Sequence, residues 1–231
     1  MKFYDCKMAP NPRRARIFLA EKGLTIPTVE VNILDGENLR EPYVSVNPRG
    51  LIPTLELDDG TRFDEVMAIC RYIEELHPTP VLLGRTPLER ALVESYQRKA
   101  EFEGMIAGSE AFRNQHENFT ERSIPGAPGY KIPAIPGLVA RGRQTIERFH
   151  AWLESLLSKS EYLTGDSYTI ADITAQCAVD FHKWIKVSVP EGNVHTLRWY
   201  QAVSSRPSAA AKICERSSLD FSLSPRGRGL G

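Results

Sequence analysis

Asn47-Pro48-Arg49-Gly50-Leu51-Ile52-Pro53-Thr54-Leu55-Glu56-Leu57-Asp58-Asp59-Gly60, running on into Glu65-Val66-Met67-Ala68-Ile69, is the stretch that decides the fold. Leu55 and Leu57 alternate as a half-buried strand does, and Asp59-Gly60 is a strong hairpin signal. Pro53 stands where that strand begins, so the Ile52-Pro53 bond is expected to be cis, the form X-Pro bonds keep in tight turns. Such a turn leaves the backbone N–H and C=O of Ile52 open to a partner. The helix expected from Glu65 has first-turn N–H groups free to receive an anion. The stretch reads as a peptide-binding edge beside a carboxylate-binding helix end.

Working outward, residues 1 to about 77 mix strand and helix signals. A short strand is expected over Lys2 to Asp5, a helix over Pro12 to Lys22 closed by Gly23, and a second strand through Val29, Val31 and Ile33. The hairpin and a helix over Glu65 to Leu76 follow. That order, βαβ then ββα, suits a small thioredoxin-like domain. His77-Pro78-Thr79-Pro80 breaks the chain, and from Pro87 the pattern is helical almost throughout. The expected class is therefore α/β plus all-α: a thioredoxin-like domain over 1–78, a linker over 79–86, an all-helical domain over 87–215 and a flexible tail over 216–231. Within the helical part, Thr169-Ile170-Ala171-Asp172 has the spacing of a capping box, with Tyr168 and Ile173 placed as its hydrophobic staple. A Pro- and Gly-rich segment between Glu117 and Leu138 is longer than ordinary helix connections. It reads equally as a flexible insertion or a lid.

The 231 residues carry 29 basic and 29 acidic side chains, a balance that gives no support for nucleic acid or an anionic membrane as partner. No apolar run approaches the roughly 20 residues that span a bilayer, and the start Met1-Lys2-Phe3-Tyr4-Asp5 is strand-like where a signal peptide would be apolar. A soluble, cytoplasmic protein is expected. Cys6, Cys70, Cys177 and Cys214 form no CxxC pair, and the five histidines show no ligand spacing, so neither a disulfide framework nor a metal site is expected.

At the first helix, Asn11 followed by Pro12 reads as an N-cap and N1 pair. The helix N-terminus, with Arg13 and Arg14 beside it, would favour a negative charge held in front of it, and a thiolate is one such charge. Tyr4 lies inside the first strand and reads as core. Tyr96, Phe102, Met105, Phe112 and Phe119 are expected on one amphipathic helix, mostly buried, with one or two lining an apolar site. Trp184 and Trp199 read as packing residues.

With these pieces in this order, the chain resembles the cytosolic glutathione transferases over nearly its whole length. The resemblance is carried by the strand-loop-helix start, Asn47-Pro48 with Ile52-Pro53, Glu65-Val66-Met67-Ala68-Ile69, Thr169 to Asp172 and Arg206-Pro207-Ser208-Ala209. It implies a thioredoxin-like domain plus a helical domain, a homodimer, and glutathione as co-substrate without a metal. It implies that Ile52, ahead of Pro53, pairs its backbone with the cysteinyl part of glutathione. Glu65 and the Val66 N–H would hold the γ-glutamyl end, and Asn38 falls where relatives place a polar side chain reaching the glycyl carboxylate. Leu51 stands where Lys is frequent, and Val66 where Ser is common.

The catalytic position is less uniform within the resemblance. The usual Cys slot falls at Ala9, and Cys6 reads as a small buried hydrophobe. Pro10-Asn11 is similar to the Thr-Pro-Asn loop of bacterial Nu-class relatives, which implies that the Asn11 amide donates to the glutathione sulfur. The other reading is that Asn11 only caps the helix. The expected activity is transfer of the glutathione thiol to an apolar electrophile. Two alternatives are glutathione-dependent reduction of a disulfide or peroxide, and a non-catalytic interaction module.

Overall fold

The computed structural model describes residues 1–211, so the tail expected over 216–231, the end of the helical domain at 215 and Cys214 lie outside the described residues. Strand β1 (Lys2–Asp5) sits inside a four-stranded sheet of order β2-β1-β3-β4. It runs parallel to β2 (Thr28–Glu30) and antiparallel to β3 (Thr54–Glu56), which forms the expected hairpin with β4 (Arg62–Asp64). Helices α1 (Pro10–Glu21) and α2 (Val66–Leu76) bury their apolar stripes, Ile17 and Phe18 on one and Ile69 and Ile73 on the other, in a single core with Phe3 and Leu55 of the sheet. The fold is thioredoxin-like, as the motif order implies. Strand β2 is shorter than the alternation of Val29, Val31 and Ile33 suggests. Asn32 Oδ1 accepts the Leu34 N–H at 3.0 Å, and this side-chain turn competes with the ladder.

The second half is helical: α3 (Pro87–Lys99), α4 (Ala107–Arg113), α5 (Pro136–Leu157), α6 (Ile170–His182) and α7 (Val194–Ser204). Helix α6 is buried nearly all round and packs against α1, so the two halves share one core. Its capping box is present, and the Asp172 carboxylate also accepts the Trp199 indole N–H at 2.9 Å and the Leu163 N–H at 3.0 Å.

The long amphipathic helix expected to carry Tyr96 through Phe119 is interrupted. Between α3 and α4, Ala100–Ile106 forms a π-helical turn, and Phe119 lies beyond α4 in a short 3-10 turn. Phe102 faces solvent, whereas Met105 and Phe112 are buried. The cause of the interruption is remote in sequence. The π turn brings the Gly104 carbonyl to His182 Nε2 at 3.0 Å, and Gly104 packs so closely on α6 that an added Cβ would stand 2.8 Å from the Ala178 Cβ. Because a carbonyl only accepts, His182 carries its proton on Nε2. Its Nδ1 then accepts from His150 Nε2 at 3.2 Å.

Both imidazoles are buried, and burial holds their pKa values below the ordinary range. In the unfolded chain they take up protons near pH 6.5, so their contribution to stability is full above that pH and is lost as pH falls below it. Urea midpoints should fall between pH 7.5 and 5.5, with a slope of at most about 1.4 kcal/mol per pH unit for each histidine. A His182→Asn variant should be less stable at pH 7.5 and show a shallower slope.

Candidate active site

A cavity of about 300 Å³ opens between the two halves. One wall is the turn from β1 into α1. Helix α1 starts two residues earlier than Asn11-Pro12 suggests, with Ala9 at the cap, Pro10 in the first turn and no side-chain cap bond. Asn11 therefore does not cap. Two prolines, Pro10 and Pro12, flank Asn11 here, and Pro10 claims the first helical position because its fixed φ suits it. The freed Asn11 side chain is held at both ends. Its Oδ1 accepts from Arg14 Nη1 at 2.9 Å, and its Nδ2 donates to the Ile52 carbonyl at 3.3 Å.

The cations beside the helix start are also already committed. Arg13 donates to Asp180 at 2.7 Å. Arg14, with 1% of its side chain exposed, donates to Glu101 at 2.8 Å and, through Nε, to Thr174 at 3.2 Å. Burial pushes the Glu101 carboxyl up, but the charge and hydrogen bond of Arg14 outweigh it and the pKa lies below the ordinary range. Neither arginine offers an unpaired charge to a ligand. Their effect is to tie α1 to the helical half and to orient Asn11. Cys6 lines the cavity, but burial raises its thiol pKa, so it serves as wall. Tyr4 is buried and donates to Glu56 at 3.1 Å.

The second wall is the loop before β3. The Ile52-Pro53 bond is cis. The Leu51 carbonyl is held from behind by the Tyr43 hydroxyl at 2.5 Å and Asn47 Nδ2 at 3.0 Å. Asn38 Nδ2 donates to the Gly50 carbonyl at 2.8 Å. Asn38 is buried at the cavity wall and braces this loop. Glu65 precedes α2 with φ 67°, a left-handed conformation costing about 1–3 kcal/mol in a residue of this bulk. It is exposed, and Arg49 Nη1 lies 3.3 Å from its carboxylate. Asn11, Asn38, Ile52 and Glu65 thus share one cavity, whereas Pro53 and Val66 lie behind it in the packed interior.

The third wall belongs to the helical half and was largely invisible in sequence. Met105 and Phe112 were on the expected stripe, but Trp184, expected only to pack, and Phe181, which no motif singled out, line the cavity too. Phe112 gathers rings around itself, with centroids 5.5 Å to Phe119, 5.6 Å to Phe181 and 5.5 Å to Trp184. The segment between Glu117 and Leu138 closes the rim as a strap. Arg122 donates to the Ile33 and Leu34 carbonyls, the Ala127 N–H donates to the Arg49 carbonyl at 3.2 Å, and Pro125 and Gly126 line the cavity. Of the two readings of this segment, the structure favours a cover.

The comparisons agree with this geometry. The profile of the glutathione S-transferase N-terminal domain matches residues 9–76, and that of the C-terminal domain matches residues 138–207. Glutathione S-transferase 2 of Saccharomyces cerevisiae is 33% identical over 94% of this chain and 91% of its own length. Among solved structures, a glutathione S-transferase domain-containing protein of Marinobacter aquaeolei matches with TM-score 0.82 and 34% identity, covering 90% of this chain and 99% of its own. Gtt2 from Saccharomyces cerevisiae matches with TM-score 0.82 and 31% identity, covering 91% and 99%. The chain belongs to the glutathione S-transferase family.

The strap gives a direct test of the rim. Gly126 has φ 72°, and a Cβ there would stand 2.4 Å from the Arg49 carbonyl oxygen; Gly129, at φ 82°, would meet nothing within 4 Å. Gly129→Ala should cost about 1 kcal/mol from backbone conformation alone. Gly126→Ala should cost clearly more and should make the strap the first site of limited proteolysis.

Proposed function

We propose that this enzyme joins the thiol of glutathione to an apolar, carbon-centred electrophile. The observation that carries the reading is the two-ended hold on Asn11. Arg14 occupies Oδ1, so the amide group faces Ile52, and Nδ2 has a second hydrogen beyond the one given to the Ile52 carbonyl. A cysteinyl residue paired with the Ile52 backbone carries its sulfur a few bonds from that carbonyl, within reach of the same nitrogen.

In this reading glutathione lies along the loop as an added strand. Ile52, set by Pro53, pairs with the cysteinyl amide. Glu65 receives the γ-glutamyl ammonium, and the free N–H of Val66 at the start of α2 receives its carboxylate. Asn38 acts on the glycyl end through Gly50. Asn11 and the α1 N-terminus stabilise the thiolate, whose proton passes to solvent. The sulfur attacks the electrophilic carbon, the new S–C bond forms, and the leaving group departs with its electron pair. Met105, Phe112, Phe119, Phe181 and Trp184 hold the apolar body of the second substrate. Exposed Leu76, Leu88 and Leu92 on α2 and α3 suit a second copy of the chain, as a homodimer would require. Cys6, Cys70 and Cys177 are all free and buried, which suits the reducing cytoplasm and a role in detoxification there.

Calorimetric titration with glutathione tests the reading. Wild type should bind, and Glu65→Ala should weaken binding about tenfold or more, the worth of a lost charged hydrogen bond. Turnover of 1-chloro-2,4-dinitrobenzene should then exceed reduction of hydroxyethyl disulfide. The opposite ranking would make the protein a glutathione-dependent reductase. Absence of binding in the millimolar range would leave a non-catalytic module.

A further inference from the structure

The aromatic end of the cavity carries a positive charge that nothing in the conjugation reading uses. Of the charged side chains lining the cavity, Arg14 pairs at 2.8 Å with Glu101, a carboxylate that Arg98 also meets at 2.5 Å, and Glu65 has Arg49 at 3.3 Å. Arg113, at the end of α4, has no carboxylate within 4.0 Å among the described residues. Its Nε donates to the Ser123 carbonyl at 3.2 Å, and Nη2 donates to the carbonyls of Arg122 at 2.6 Å and Ile124 at 3.1 Å. Among the described residues no acceptor meets Nη1.

Arg122, next to it, donates to the carbonyls of Asn118 at 2.8 Å, Ile33 at 2.9 Å and Leu34 at 2.6 Å, and the Asp35 carboxylate offsets part of its charge. Both guanidiniums lie over the Phe119 ring, 4.3 and 4.7 Å from its centroid. Two like charges therefore share one aromatic wall. Burial, and then the charge of Arg122, push the Arg113 pKa down to about 10, a direction that reports an unfavourable field for the cation. A guanidinium does not relieve such a field by losing its proton at physiological pH. An anion placed against it would.

We infer that the electrophile is a flat aromatic or conjugated molecule bearing an anionic group, such as a carboxylate, that Arg113 receives through its unpartnered Nη1. The inference rests on the conjugation reading and narrows its substrate class. The rings around Phe112 hold the flat body, Arg113 fixes its charged end, and the reacting carbon is thereby turned toward the sulfur beside Asn11. Arg113 has a second task, holding the first residues of the strap, so loss of its charge and loss of its hydrogen bonds must be separated.

The test compares 4-chloro-3,5-dinitrobenzoate with 4-chloro-3,5-dinitrobenzamide, which share ring, leaving group and reaction. In each, the S–C bond forms, the C–Cl bond breaks, chloride leaves with the electron pair and the thiol proton goes to solvent. With kcat/KM divided by the uncatalysed rate constant, wild type should prefer the benzoate about tenfold or more, as a charge-assisted hydrogen bond would give. Arg113→Lys should keep part of the preference, and Arg113→Gln should bring the ratio near unity. Conjugation of both compounds by wild type without preference for the benzoate would overturn the inference and leave the conjugation reading standing. A preference that survives unchanged in Arg113→Gln would overturn it as well. Conjugation of neither would remove the reading itself, and the inference with it.

Discussion

A guanidinium from the first helix is buried where the two halves meet, and the geometry of the cavity follows from how it is satisfied. Arg14 reaches Glu101 on the π turn, Thr174 on α6 and Asn11 on its own helix. A buried ion pair adds little net stability over an apolar replacement, but removal of one partner leaves the other uncompensated at a cost of about 3–5 kcal/mol. What such a pair does well is specify an arrangement. Here it ties α1 to the helical half, and it fixes which way the Asn11 amide faces.

The remaining walls are set by similar local devices. Tyr43 and Asn47 hold the Leu51 carbonyl from behind, which leaves the Ile52 backbone facing the cavity. The Gly104 carbonyl, engaged by His182, marks where the helix changes register between α3 and α4. Beyond that change come Met105 and Phe112, the aromatic side of the cavity. The strap from the helical half then bonds to the carbonyls of Ile33, Leu34 and Arg49, so the rim on the thioredoxin-like side is closed by the other domain.

The thioredoxin-like half was legible because its signals are local. Asp59-Gly60 marks the hairpin and Pro53 the turn before β3; in the helical half the Thr169 to Asp172 spacing marks the cap of α6 for the same reason. The errors occurred where two local signals competed or where the deciding partner was distant. Asn11 between Pro10 and Pro12 admits either proline as the first helical residue, and the choice left the asparagine free for Arg14 and Ile52. The π turn depends on a histidine far along the chain, and no periodicity announces it. The uncompensated charge at Arg113 was illegible for the same reason. Composition counts 29 charges of each sign, but not which carboxylates come near which guanidinium.

These constraints meet at one atom, the Asn11 amide nitrogen. If its second hydrogen serves the glutathione sulfur, the amide should favour the thiolate over the thiol without being needed for binding the rest of the tripeptide. The decisive measurement is the ultraviolet titration of the thiolate of bound glutathione in wild type and in Asn11→Ala, with the dissociation constant followed in parallel. The account expects the bound thiol of wild type to ionise about one pH unit or more below free glutathione, and most of that shift to disappear in the variant while affinity measured at a pH where glutathione binds as the thiol changes little. An unchanged thiol titration in Asn11→Ala would contradict it.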